Sequence, residues 1–126
     1  MTVKGNMSAG SQVTFSMILA QLLSKQIEVK QLSQKDFLAE CKISQATWSR
    51  INRGLTSFSI EDLNAACRVL GMRCSELIRN AEVVEAGLPM MDVNVVAPVG
   101  PSAKSNYAGA FIAGAVLAFL ISRLGK

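Results

Sequence analysis

The side chains best able to bind a ligand lie together in one stretch of eleven residues, from Ser44 to Gly54. Ser44 is a predicted helix cap, because its hydroxyl accepts from free amides of the first turn. Gly54 is a predicted helix stop, because glycine readily takes the left-handed conformation. Trp48 and Ile51 share one face, which predicts that this face is buried. Apart from Ala46, the other side chains can form hydrogen bonds, and none is acidic, so the outer face suits the major groove of DNA.

A second short helix is predicted directly upstream, with Ser33 as its cap. Phe37, Leu38 and Cys41 give this helix an apolar face that we expect to be buried. Only two residues separate its end from Ser44, so the two helices meet across a tight turn.

Further helices are predicted on both sides of this pair. Downstream, Ser59 caps a helix that stops at Gly71, and Ser75 opens one more. Upstream, apolar residues recur at helical spacing, so the first helix begins near Phe15. The residues expected to form the core are Phe15, Ile18, Leu19, Leu22, Phe37, Leu38, Trp48, Ile51, Leu63, Ala66 and Leu70.

Several separate segments follow one another along the chain in an order that is typical of a known family: Leu-Ser-Gln, Leu-Ala-Glu, Ile-Ser-Gln-Ala-Thr-Trp-Ser-Arg-Ile-Asn-Arg-Gly, Leu-Gly-Met and Glu-Leu-Ile. The chain between Phe15 and Arg79 resembles the phage-repressor or Cro-like class of helix-turn-helix domains, also called the xenobiotic-response-element family. It departs from that class at Trp48, where the family usually has Ile or Val. The segment from Lys25 to Gln31 is also longer than the usual turn. The resemblance implies an all-α domain of five helices over residues 15–80.

The resemblance also implies which residues meet DNA. Gln45 is suited to pair with adenine and Arg50 with guanine, since each offers two hydrogen bonds to a base edge. The expected base-contacting residues are Gln45, Ala46, Thr47, Ser49 and Arg50. The expected contacts to the DNA backbone are Ser33, Gln34, Lys42, Ser44, Asn52, Arg53 and Thr56.

The charge distribution agrees with an anionic partner for this part of the chain. The chain carries a formal net charge of +4. Between Phe15 and Asn80 there are nine Lys and Arg against six Asp and Glu, whereas the counts after Asn80 are equal. The basic excess therefore lies on the predicted helix-turn-helix domain.

The three cysteines do not form a recognisable reactive site. Cys41, Cys67 and Cys74 fall at core-facing positions, no pair has CxxC spacing, and the chain has no histidine. We therefore predict buried reduced thiols, which implies a reducing compartment, rather than a metal or redox site. No cofactor is expected, and the absence of a histidine base and of a Gly-rich phosphate loop argues against an enzyme.

The segments outside the domain have different compositions. Residues 1–14 are polar and contain Gly and Ser, so we expect a disordered arm. Residues 81–104 contain three prolines and two glycines, so we expect a linker. Within it, residues 93–97 are compatible with a short strand that pairs with a second copy of itself.

The C-terminal segment is the second informative stretch, because it has no charged residue for 18 positions from Ser105 to Ser122. As a helix it spans roughly 27 Å, close to the thickness of bilayer hydrocarbon. We predict a single transmembrane helix at residues 105–123 and a tail at 124–126; the alternative is a buried amphipathic helix. The domain is then expected at the cytoplasmic face of the inner (cell) membrane. The flanking charges mildly favour the opposite orientation, and shallow insertion stays open.

Small residues in this segment also suggest self-association. Ala110, Gly114 and Ala118 are spaced by four, which lets two membrane helices approach closely. The sequence therefore predicts a homodimeric, membrane-tethered, sequence-specific regulator whose partners are double-stranded DNA and the lipid bilayer. The alternative is a membrane-anchored protein-interaction module that keeps the fold without specific DNA binding.

Overall fold

Five consecutive α-helices form the centre of the molecule, as the sequence predicts. The computed structural model describes residues 11–99, 111–112 and 114–124. The five helices are α1 (Phe15–Val29), α2 (Gln34–Cys41), α3 (Gln45–Asn52), α4 (Ile60–Leu70) and α5 (Cys74–Gly87).

Serine side chains begin the three central helices. The hydroxyls of Ser33, Ser44 and Ser59 each accept a hydrogen bond of 3.0 Å from the amide three residues on. Gly71 ends α4 in the left-handed conformation. These caps confirm the predicted boundaries, because each satisfies backbone groups that a helix end leaves free. The start of α5 differs: it begins at Cys74, one residue before the predicted opening at Ser75.

The Trp48 ring packs in the core against two other aromatic rings. Trp48 is only 6% exposed, which confirms its predicted burial. The rings of Phe37 and Phe58 both lie with their centroids 6.1 Å from it in edge-on geometry. Phe58 also donates its N–H to the buried Ser16 hydroxyl at 3.0 Å, so the loop after α3 is fixed to α1. The inner face of α3 is thus held by aromatic contacts and by a neighbouring loop.

A two-stranded parallel sheet joins the two ends of the domain. Strand β1 (Ser11–Thr14) pairs with strand β2 (Val93–Val96), with Ser11 opposite Val93. Thr14 ends β1 and caps α1, since its hydroxyl accepts from the Met17 amide at 3.0 Å. The prediction of a disordered arm is therefore wrong for residues 11–14, because Val13 is fully buried. Residues 1–10 lie outside the described part.

The predicted linker also contains regular structure. Helix α5 continues to Gly87 because Ala81 and Val84 are buried at helical spacing. A 3-10 turn at Leu88–Met91 and strand β2 follow it. The predicted short strand is thus present, but it pairs with β1 of the same chain. Residues 100–104 are not among those described.

The last helix, α6 (Gly114–Leu124), packs against α1 and α5. Leu117 is its fully buried contact. The predicted continuous helix over residues 105–123 is wrong, because Phe111 forms a bridge to Gln12 and Ile112 donates to the Gln12 carbonyl at 3.2 Å. Among the described residues, no helix has both the length and the apolar character needed to cross a bilayer.

Candidate nucleic-acid interface

The turn between α2 and α3 fixes the relative position of the two helices. Lys42 ends α2 in the left-handed conformation, with φ of 62°. Ile43 is buried and donates its N–H to the Leu38 carbonyl at 3.0 Å. The chain therefore turns from α2 into α3 within three residues, and the Lys42 side chain is left exposed.

The amino-terminal end of α3 is organised by Ser44 and Thr47. The Ser44 hydroxyl accepts from the Thr47 amide and donates to the Thr47 hydroxyl oxygen, both at 3.0 Å. Ser44 is therefore used within the helix cap. Thr47 keeps its own hydroxyl hydrogen for another acceptor.

The outer face of α3 carries the predicted base-contacting residues. Gln45, Ala46, Ser49 and Arg50 are exposed, and Thr47 is half-buried. The helix contains no carboxylate, and its only charged side chain is Arg50. This face offers amide, hydroxyl and guanidinium groups to an anionic, hydrogen-bonding partner.

The residues predicted to contact the DNA backbone flank this face along the chain. Ser33, Gln34, Lys42, Ser44 and Arg53 are exposed, and Thr56 is half-buried. The Ser33 hydroxyl is already bonded to the Asp36 amide, so a phosphate contact there would use the remaining hydroxyl hydrogen.

Asn52 has a role within the protein that its sequence position does not reveal. Its amide nitrogen donates to the Trp48 carbonyl at 2.8 Å, and its amide oxygen accepts from the Gln21 side chain at 3.4 Å. Asn52 therefore connects α3 to α1. Gln21 was missed by sequence reasoning, since the two partners lie 31 residues apart.

The carboxyl-terminal end of α3 is covered by a later part of the chain. Gly54 has a φ of 80° and is buried. A Cβ placed on Gly54 would lie 2.7 Å from the Phe111 ring, so the ring sits directly on the glycine. Val99 donates its N–H to the Gly54 carbonyl at 3.1 Å. Sequence reasoning identified Gly54 as a helix stop but not as this contact.

The two buried cysteines near the helix pair, Cys41 and Cys67, have thiols of low reactivity. Burial raises the pKa of the Cys41 thiol to about 11 and that of the Cys67 thiol to about 12, with a Cys74 hydrogen bond contributing at Cys67. Both thiols are therefore protonated at neutral pH and are poor nucleophiles. Within the described ranges, no three His, Cys, Asp or Glu side chains are grouped to hold a metal ion.

Of the three small residues predicted to pair two membrane helices, the structure describes two, and these two lie in different surroundings. Ala110 is outside the described residues, and Ala118 is exposed on α6. Gly114 begins α6, and a Cβ on it would lie 2.8 Å from the Gln21 side-chain nitrogen. The surface at Gly114 is thus in contact with α1 of the same chain.

Comparison with known proteins agrees with the geometry of the helix pair. Residues 22–80 match the family model of the Cro/C1-type HTH DNA-binding domain. No curated protein and no solved structure matches the chain. The matched segment includes all of α2, α3 and α4, and it indicates a DNA-binding regulator.

Proposed function

We propose that the protein is a sequence-specific DNA-binding transcriptional regulator that inserts α3 into the major groove. The observation that carries the proposal is the outer face of α3, which is exposed, free of carboxylates and rich in hydrogen-bonding groups. Its inner face is held on the core by Trp48 and Ile51. A helix seated in this way can present side chains to base edges with little loss of order on binding.

The roles we propose divide between base edges and phosphates. Gln45 and Arg50 are the residues able to make paired hydrogen bonds to adenine and guanine. Lys42 and Arg53 supply positive charge at the two ends of α3, where phosphates would approach. The first pair would set sequence preference, and the second would set affinity and its salt dependence.

The test begins with full-length protein and a random pool of duplex DNA. Sequences retained by the protein would be enriched, and the preferred duplex would then be compared with a random duplex by fluorescence anisotropy. We expect enrichment of a defined sequence and a preference that survives at physiological salt. Failure to enrich any sequence would contradict the proposal.

Three variants separate the proposed roles. Arg50→Ala should weaken binding to the preferred duplex by about 1–3 kcal/mol and relax preference at one base pair. Lys42→Ala should weaken all duplexes alike and lower the salt slope by about one unit. Arg68→Ala removes an exposed charge from α4 and serves as the control. Equal losses in all three variants would contradict the assignment to α3.

The second candidate is a protein-interaction module that keeps the helix-turn-helix fold. The observation that favours it is the exposed apolar surface of α6, where Val116 and Phe119 are 48% and 59% exposed. This candidate predicts no sequence enrichment and no salt-dependent DNA binding. The same selection therefore decides between the two candidates.

Membrane attachment and dimerisation are separate proposals. What supports attachment is the uncharged sequence from Ser105 to Ser122, and what supports a dimer is that helix-turn-helix domains commonly read two half-sites as a pair. Sedimentation of the full-length protein with and without lipid vesicles tests attachment. Binding to duplexes with one or two copies of the preferred site tests the dimer, which should favour two copies.

A further inference from the structure

We propose that Val99, Phe111 and Gly114 brace the carboxyl-terminal end of α3, and that they and Gln21 are positioning residues for DNA binding. The inference rests on the proposed function, since it concerns how the same helix is presented to DNA. None of these four residues belongs to the segment that matches the family model, residues 22–80. Gln21 lies just before that segment, and the contacts of Val99, Phe111 and Gly114 come from the chain that follows it.

The first part of the brace meets at Gly54. The Phe111 ring lies against its α-carbon, and the Val99 N–H donates to its carbonyl at 3.1 Å. The next residue, Leu55, donates its N–H to the Arg50 carbonyl at 2.9 Å. A shift of Gly54 would therefore be transmitted to the backbone of Arg50, which carries the proposed guanine contact.

The second part of the brace runs through Gln21. Its side-chain nitrogen lies 3.4 Å from the Asn52 amide oxygen, and Asn52 in turn donates to the Trp48 carbonyl at 2.8 Å. Gly114 lies so close that a Cβ there would come within 2.8 Å of that same nitrogen. The absence of a side chain at Gly114 is thus what leaves the Gln21 amide in reach of Asn52.

The orientation of α3 needs such additional contacts, because the helix is short and only a narrow strip of its surface is buried. Only Trp48 and Ile51 are buried among its eight residues. Two buried side chains on one face hold a helix at a fixed distance from the core, but they restrict its rotation about its own axis less well. The Gln21–Asn52 hydrogen bond and the packing at Gly54 act away from that face, so they restrict rotation and keep the outer face directed at DNA.

The experiment uses Gly114→Ala and Gln21→Ala in the full-length protein, singly and together. In Gly114→Ala the new methyl group should displace the flexible end of Gln21 from Asn52. Because Gly114 is the first residue of α6, alanine gains little helix propensity there, so the thermal midpoint should fall by about as much as in Gln21→Ala, which loses the same hydrogen bond. Gln26→Ala, on the same helix and half-buried, is the matched control for Gln21→Ala.

Two readouts are measured on each variant: amide hydrogen exchange of residues 48–54, and affinity for the duplex selected by the parent protein. We expect exchange to quicken and affinity to fall by up to about fivefold, the largest shift in the population of the binding-competent orientation that loss of one hydrogen bond can cause. The double variant should be no weaker than either single variant, since both changes break the same contact. Parent-like exchange and affinity in Gly114→Ala, or additive losses in the double variant, would overturn the proposal.

A second pair of variants tests the contact at Gly54. Phe111→Ala should quicken exchange at residues 48–54, and Phe111→Leu should restore most of the protection. Phe119→Ala removes an exposed ring from α6 and should leave exchange unchanged. Equal effects of Phe111→Ala and Phe119→Ala would overturn this part of the brace. If the parent protein selects no duplex, the proposed function fails, while the exchange rates still decide whether α3 is braced.

Discussion

Helices α3 and α6 are both short, yet they expose opposite kinds of surface. Helix α3 is mostly polar, buries Trp48 and Ile51, and turns hydrogen-bonding side chains outward. Helix α6 is mostly apolar, but among its described side chains only Leu117 is fully buried, while Val116 and Phe119 are exposed. The surface that a helix leaves exposed, rather than its overall hydropathy, indicates what it can bind.

The two helices also differ in how they are attached. Helix α3 is fixed by ring packing, by a serine cap and by the Gln21–Asn52 hydrogen bond. Helix α6 rests on α1 and α5 through Leu117 and through half-buried Leu120 and Ile121. On its outer side the Arg123 guanidinium lies 5.8 Å from the Phe119 ring centre, which partly covers that ring. Variants at inner and outer positions of the two helices should therefore have different consequences.

The largest effect is expected for the inner face of α3. Trp48→Ala should lower the free energy of unfolding by roughly 3–5 kcal/mol, because it removes the ring packed between Phe37 and Phe58. Ser49→Ala, on the outer face, should change it by less than about 0.5 kcal/mol. Urea denaturation followed by circular dichroism measures both. An unchanged midpoint in Trp48→Ala would mean that the ring is not part of the core.

The next effect is expected for the inner face of α6. Leu117→Ala should lower the free energy of unfolding by about 2–5 kcal/mol, because its side chain is fully buried in the core. Val116→Ala, at an exposed position of the same helix, should have little effect. The same denaturation experiment applies, with full-length protein. Equal midpoints for the two variants would show that α6 does not rest on α1 in solution.

A smaller effect is expected from pH, through the thiols beside the helix pair. Burial holds the pKa of Cys41 at about 11 and that of Cys67 at about 12, above the ordinary value of 9.0. The unfolded chain therefore loses these protons first as pH rises, so their contribution to stability is complete below pH 9 and is lost progressively above it. Between pH 7 and 9.5 we expect a fall of about 1–2 kcal/mol in the free energy of unfolding.

The control for this pH dependence is the double variant Cys41→Ala and Cys67→Ala. It is less stable at every pH, because it removes buried side chains, but its stability should depend less on pH. Urea midpoints at several pH values give the comparison. A parent protein whose midpoint stays constant up to pH 9.5 would contradict the burial of the two thiols.

Much of the helical centre is predictable because its signals are local. A serine hydroxyl reaches an amide three residues away, so Ser33, Ser44 and Ser59 mark helix starts without any tertiary information. Glycine at position 71 marks an end for a similar reason. The buried and exposed sides of α3 follow from helical spacing, which is why Gln45, Ser49 and Arg50 are exposed as the sequence predicts. Thr47 and Asn52, predicted on the same outer face, are half-buried.

The rest depends on partners that are distant in sequence. The pairing of Ser11 with Val93 joins opposite ends of the domain, and no local pattern at residues 11–14 reveals a strand partner. The bond between Gln21 and Asn52 is equally non-local. Helix α6 shows a further limit, because an apolar segment can be covered by lipid or by the protein itself, and composition alone does not distinguish the two.

The central claim is that DNA binds to the outer face of α3. The most direct measurement is an NMR titration of isotope-labelled full-length protein with the duplex that it selects. We predict that the largest amide shift changes fall between Lys42 and Arg53, with small changes on α5 and α6. Changes concentrated on α5 or α6, or an unchanged spectrum at saturating DNA, would contradict the account.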